Sequence, residues 1–260
     1  MTKVLKLDLL GRPKIAIDDV PVTGLVSAKA RALLFYLAVT GEFHSRQWLA
    51  GLLWPNMPEA DARRNLRGVV MKLRQAVGEY LRLEHDVLGV DVAAAVWVDV
   101  RVFQEGVLGK NGRFPTPASL RTALDLYRGE FLEDFHVREA PAFEEWVTQQ
   151  RTYLRELAIK ACMQLISHCL QAGDYAAGIT YARKLLTLDP AREEGHQQLM
   201  YLLALSGQRS AALAQYETCR RILQTELGIE PAMETAALYE QIRADTLRPP
   251  FSHQSSARIT

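Results

Sequence analysis

The sequence predicts a mainly α-helical protein in two parts: about a hundred residues of mixed strands and helices, then an all-α array. Three observations carry this. Apolar residues alternate at both ends of the first hundred residues and recur at helical spacing between them. After Asp99 the pattern is helix and turn throughout, and one stretch there repeats with a period of 34 residues. The chain has 260 residues, 48% hydrophobic and 23% charged, with 31 basic against 30 acidic side chains, so it is long enough for two modest cores and too apolar for a disordered tail protein.

In chain order, Val4 to Val22 alternates around Leu5, Leu7, Leu9, Ile15 and Ile17, broken by Gly11-Arg12-Pro13 and Asp18-Asp19, which reads as short strands joined by tight turns. Ser27 then precedes a helix over Ala28 to Val39, with Ala30, Leu33, Leu34, Leu37 and Ala38 at helical spacing and Gly41 as its stop. Ser45 is placed to cap a short second helix holding Trp48, Leu49, Leu52 and Leu53, which ends before Pro55 and Pro58. A third helix runs from about Glu59 to Gln75 or a little further, with Ala62, Leu66, Val69, Val70, Leu73 and Val77 as its apolar stripe. Leu81-Arg82-Leu83 and Val87 to Val90, separated by His85-Asp86, form a hairpin, and Val96-Trp97-Val98 adds a further strand.

The breaker-rich stretch Gly109 to Pro117 marks a junction, and the domain reading is residues 1–100, then 101–246, with 247–260 as a mobile tail or linker. Gln164, Leu165, Ile166, Gly173 and Ala177 recur as Gln198, Leu199, Met200, Gly207 and Ala211, the tetratricopeptide period. Each copy is a helix that ends at a Gly and a second helix after it. The last helix follows Gly228 and Pro231 and carries Ala236, Leu238, Tyr239 and Ile242. Two copies fall short of the three or so that a stack needs, and helices from Leu120 to Arg155 are expected to supply the rest.

Catalytic and metal chemistry find little support. Cys162, His168 and Cys169 are close in sequence, but 168 points away from the face shared by 162 and 169, and no paired ligand spacing occurs; the three cysteines read as reduced core thiols and no metal or cofactor is expected. There is no nucleophile elbow, P-loop or dinucleotide fingerprint, and the acids between Glu130 and Glu145 read as a solvated face, so the chain is not expected to be an enzyme. With no signal-peptide block and no long apolar run, the expectation is a cytoplasmic protein without membrane contact.

The charge is balanced globally and uneven locally. Residues 1–100 hold 13 basic and 11 acidic side chains, yet Arg63 to Arg82 holds six basic residues against Glu79 alone. Away from its apolar stripe the third helix presents Arg64, Arg67, Met71, Arg74 and Gln75. Arg pairs with guanine O6/N7 and Gln with adenine N6/N7, so these five are the candidates for reading bases in a major groove, with Gly68 permitting close approach. Arg63 and Lys72 are placed for phosphates, as are Ser45 and Arg46 through the N-terminus of the second helix; Arg82 is the positive side chain of the hairpin. A capped helix, a turn, a basic helix and a hairpin compose a winged helix-turn-helix, whose second helix enters the groove.

The segments Ala30-Arg31-Ala32-Leu33-Leu34-Phe35-Tyr36-Leu37-Ala38, Leu49-Ala50-Gly51-Leu52-Leu53-Trp54-Pro55 and Ala62-Arg63-Arg64-Asn65-Leu66-Arg67 resemble the winged-helix domain of SARP-type regulators. These are antibiotic-regulatory-protein-like transcription factors with an OmpR-like DNA-binding domain. Tyr127-Arg128-Gly129-Glu130-Phe131-Leu132, Phe143-Glu144-Glu145-Trp146-Val147, Tyr216-Glu217-Thr218-Cys219-Arg220 and Glu226-Leu227-Gly228-Ile229-Glu230-Pro231 are similar to their bacterial transcriptional activator domain, a tetratricopeptide-like array. Where members often carry Gly-Tyr near the hairpin, this chain has Leu88-Gly89-Val90-Asp91.

The resemblance implies a transcriptional activator on double-stranded DNA with promoter repeats, a second copy bound beside the first, and RNA polymerase as a protein partner. The loop Trp54, Pro55, Asn56, Met57 and Pro58 is a candidate polymerase contact, with a rigid connector as the equal alternative. The rival reading is a repeat scaffold that binds protein and has no appreciable affinity for DNA.

Overall fold

The computed structural model describes residues 3–91, 94–110 and 112–247. These fall into two compact units, one of residues 1–115 and 122–156 and the other of residues 116–121 and 157–260. The proposed tail at 247–260 lies outside the described residues from 248 onward.

The first unit opens with β1 (Leu5–Asp8), β2 (Lys14–Ile17) and β3 (Val20–Pro21). Leu5 pairs with Ile17 and Leu7 with Ile15 in antiparallel register; the two leucines are fully buried and Lys6 and Asp8 half-buried, as a period of two requires. Helix α1 (Ala28–Thr40) ends where Gly41 turns left-handed at φ 68° and donates its N–H to Leu37 O. Sequence periodicity assigns α1 one apolar stripe, but Ala32, Phe35 and Tyr36 are buried as well, so it is a central helix covered nearly all round.

Strand β4 (His44–Ser45), too short for periodicity to show, leads into α2 (Arg46–Leu53), where Ser45 Oγ accepts the Trp48 N–H at 3.1 Å. Ser45→Ala should therefore cost about 1 kcal/mol in a urea melt. Helix α3 (Glu59–Val77) buries the six expected stripe residues. A 3-10 turn with buried Tyr80 leads to the hairpin β5 (Leu81–Glu84) and β6 (Val87–Val90), with His85 at φ 47° in its two-residue turn. On the far side of β6, His44 pairs with Leu88 and Ser45 with Val87, which makes the hairpin a three-stranded wing.

Strand β7 (Val96–Val98) leaves the hairpin and runs parallel to β1, Leu5 opposite Val96 and Leu7 opposite Val98, closing a sheet of order β3-β2-β1-β7. Asp99, the first residue of α4 (Asp99–Leu108), is wholly buried. Its carboxylate accepts N–H groups from Leu9, Leu10 and Val100 at 2.8–2.9 Å, and Arg128 Nη2 at 3.1 Å.

After α5 (Pro117–Leu126), the segment from Tyr127 to Ala140 lies along the end of β1: Gly11 donates to Glu130 O, Leu132 to Leu9 O and Glu133 to Gly11 O. A Cβ on Gly129 would stand 3.2 Å from Gly11 Cα, so the two chains approach as closely as glycine permits. Arg151, on helix α6 (Pro141–Ala172), donates to the carbonyls of Phe131 and Leu132 at 2.8 Å each. Phe131, Phe135, Phe143 and Trp146 pack edge-on or tilted with Phe35 and Tyr36 of α1. Most of the stretch from Leu120 to Arg155, expected to complete the helical stack, instead belongs to the first unit, which takes in residues 122–156.

The second unit takes in the end of α6 with α7 (Tyr175–Leu188), α8 (Glu193–Leu205), α9 (Arg209–Leu227) and α10 (Met233–Arg243). The 34-residue repeat places Gly173 (φ 71°) and Gly207 (φ 79°) at equivalent helix ends. Gly178 lets α7 reach α8, for a Cβ there would stand 2.8 Å from Leu202 Cδ2. All three cysteines are buried and reduced, and burial pushes the Cys162 thiol up to about 12 and that of Cys219 to about 11, so neither is a thiolate ligand at neutral pH. Among the described residues no group of His, Cys, Asp and Glu could hold a metal, and no helix is long and apolar enough to cross a membrane.

His196, 1% exposed, has Nε2 2.8 Å from Pro190 O and Nδ1 2.6 Å from Gln215 Nε2. A neutral ring protonated on Nε2 satisfies both neighbours. Burial lowers its pKa, against a smaller opposing pull from the Pro190 carbonyl and from Glu193. The folded ring therefore resists a proton that the unfolded one accepts near pH 6.5, and its contribution is complete above that pH and declines as pH falls toward the folded value. Urea midpoints measured from pH 8 to 5 should drop below about pH 6.5, with part of that slope removed in His196→Gln.

Candidate nucleic-acid interface

Helix α3 and the wing enclose a groove of about 580 Å³. Its floor is Leu66 and Val70 of α3 with Leu83 of β5; its walls carry Arg63, Arg67, Met71, Arg74 and Gln75 from α3, Arg46 from α2 and Asp86 from the wing turn. At 3.6 residues per turn Arg63, Arg67 and Arg74 lie within about 40° of one another on one flank of the apolar stripe. The wing stands beside that flank and leaves its arginines exposed. Lys72 is exposed on the other flank, and neither it nor Arg64 lines the groove.

The cations differ in their partners. Arg63 reaches Glu59 at 2.7 Å, Arg64 reaches Asp61 at 3.2 Å and Arg82 reaches Glu84 at 2.6 Å, all with well-exposed side chains. Such pairs contribute little in water and exchange readily for another anion. Among the described residues Arg46, Arg67, Lys72 and Arg74 form no ion pair. The groove thus collects three arginines of one helix flank, two of them without a carboxylate, beside an amide and a methionine.

At the N-terminus of α2 the donors offered to a phosphate are partly committed. Arg46 N–H donates to Asp86 O at 2.8 Å and Trp48 N–H to Ser45 Oγ. Arg46 itself lines the groove. Asp86 reaches the groove because it sits in the two-residue turn between alternating strands, a position that helical spacing and positive charge do not point to.

The loop after α2 is internally braced. Trp54 is buried, with the Lys29 ammonium 4.7 Å from its ring centroid, and Lys29 Nζ also donates to Leu53 O. Met57 N–H donates to Trp54 O, and Pro58 O accepts from Asp61 and Ala62 to start α3. Pro55, Asn56, Met57 and Pro58 are exposed.

Residues 98–243 match the bacterial transcriptional activator domain. The chain is 27% identical over 231 residues to the regulatory protein AfsR of Streptomyces griseus, covering 84% of this chain and 23% of that protein. It is 25% identical over 262 residues to the regulatory protein DnrI of Streptomyces peucetius, covering 93% of each. It therefore spans about a quarter of AfsR and nearly all of DnrI. Among solved structures, Mycobacterium tuberculosis EmbR, in complex with a low affinity phosphopeptide, superposes with a TM-score of 0.73 at 26% identity, over 95% of this chain and 66% of that one.

Proposed function

The chain belongs to the bacterial transcriptional activator domain family of SARP-type regulators, and on that premise we propose that it is a sequence-specific DNA-binding activator that reads the major groove with α3. The observation that carries this is the groove beside the wing, where Arg67 and Arg74 stand without acidic partners next to Gln75 and Met71. Arg67, Arg74 and Gln75 supply the donors that guanine and adenine edges accept, and Met71 contacts a thymine methyl. Arg64, at the exposed edge of the same helix, reads a flanking base. Arg63, exchanging Glu59 for phosphate, with Arg46, Lys72, Arg82 and the Ser45 hydroxyl, fixes the register on the backbone.

The helical array contacts protein, including a second copy on repeated half-sites. The braced loop Trp54 to Pro58 presents Pro55, Asn56 and Met57 to RNA polymerase from a fixed position. No cofactor takes part in this reading.

The test is fluorescence anisotropy of a randomised duplex pool as salt is varied. Four to six phosphate contacts give a log–log slope of roughly −4 to −5. Absence of binding at low salt by folded protein would favour a protein-binding scaffold instead.

A further inference from the structure

A second concavity, of about 570 Å³, lies on the first unit between the sheet and α1, within the range of small-molecule sites. Ile15, Val22 and Leu25 line it from the sheet side and Phe35 from α1. Val26, on its rim, is 83% exposed.

Five charged side chains line the same space, and they are not balanced. Asp8 is held by Arg128 at 2.8 Å and Asp19 by Lys6 at 3.5 Å. Lys14 and Arg31 form no ion pair among the described residues. The Arg31 guanidinium lies 5.1 Å from the Phe135 ring centroid, and its Nε is buried without a hydrogen-bond acceptor. The Arg31 side chain that lines the groove thus carries its charge without a carboxylate, and an anionic group entering the groove would pair with it.

We propose that this groove is a binding site for a small organic anion with an apolar body, a carboxylate class of ligand. Its head meets Lys14 and Arg31 while its body lies against Ile15, Leu25 and Phe35. A peptide added as a strand fits poorly, because the sheet edge here is the two-residue β3 and one of the two is Pro21. The site is separate from the α3 groove and does not depend on DNA binding.

The experiment is isothermal titration of the full chain with 2-naphthoate and, as the neutral comparator, 2-naphthamide. The expected result is saturable one-site binding of the carboxylate, at least about tenfold tighter than the amide and weakened at least about tenfold by Lys14→Glu and by Arg31→Gln. Lys14 is exposed, so its variant tests the site even if the change at Arg31 disturbs folding. Lys160→Glu, an exposed charge change in the other unit, should leave affinity unaltered. No saturable heat at millimolar ligand, equal affinity for acid and amide, or indifference to Lys14→Glu would each overturn the proposal.

Discussion

Asp99→Ala is expected to destabilise the first unit by about 3–5 kcal/mol, because it leaves three buried backbone N–H groups without their acceptor at about 1–3 kcal/mol each. The carboxylate is wholly buried and gathers the N–H groups of Leu9, Leu10 and Val100 together with Arg128. Burial pushes its pKa upward, while the backbone donors and, less strongly, the guanidinium pull it back. Alanine would strand three backbone donors at the junction of β1 and α4, whereas Arg128 would keep Asp8. Asp99→Asn retains one acceptor oxygen and should cost less. All four tryptophans (Trp48, Trp54, Trp97 and Trp146) belong to the first unit, so tryptophan fluorescence in urea reports its unfolding alone. A loss under about 1 kcal/mol, the scale of one ordinary hydrogen bond, would mean that Asp99 does not hold the junction of β1 and α4 together.

Arg67→Ala with Arg74→Ala is expected to abolish specific DNA binding while leaving the melt unchanged. Each arginine stands to contribute about 1–3 kcal/mol if it pairs with a guanine edge. The two lie two helical turns apart, about 10 Å, so their losses should add. Both are exposed and unpaired, and substitutions of that kind usually stay within about 0.5 kcal/mol in stability. Lys72→Ala, on the flank away from the wing, should instead weaken all duplexes alike and reduce the salt slope by about 1.

Much of this was legible in the residues. The stripe of α3 matches at all six positions because a 19-residue helix packed on one side reports its face through many turns. The 34-residue repeat places Gly173 and Gly207 correctly because each is the left-handed stop of a helix. Other features depend on distant partners. His44–Ser45 is a strand only because β6 lies beside it, and β7 pairs with β1 across some ninety residues of chain, a register that local pattern does not encode. Alternation hints at strands without saying which strand is the neighbour.

The site shows the same division. Helical spacing separates the basic face of α3 from its core face, but Arg63 and Arg64 are adjacent in sequence and both exposed. Only the position of the wing turns one toward the groove and leaves the other with Asp61. Similarly, Tyr127 to Leu132 reads as a motif without a visible purpose until Gly129 is seen against Gly11 and Phe131 against Trp146.

The central claim is that α3 reads base edges in the major groove, and the most direct test removes the acceptor from the DNA. Take an operator selected from the randomised pool and replace its guanines, one at a time, by 7-deazaguanine, which lacks N7 and leaves the minor groove intact. The account predicts that at least one replacement weakens the wild-type protein about tenfold, with no further loss in the Arg67→Ala/Arg74→Ala variant at low salt. Equal binding at every position, or the same loss in wild type and variant, would contradict it.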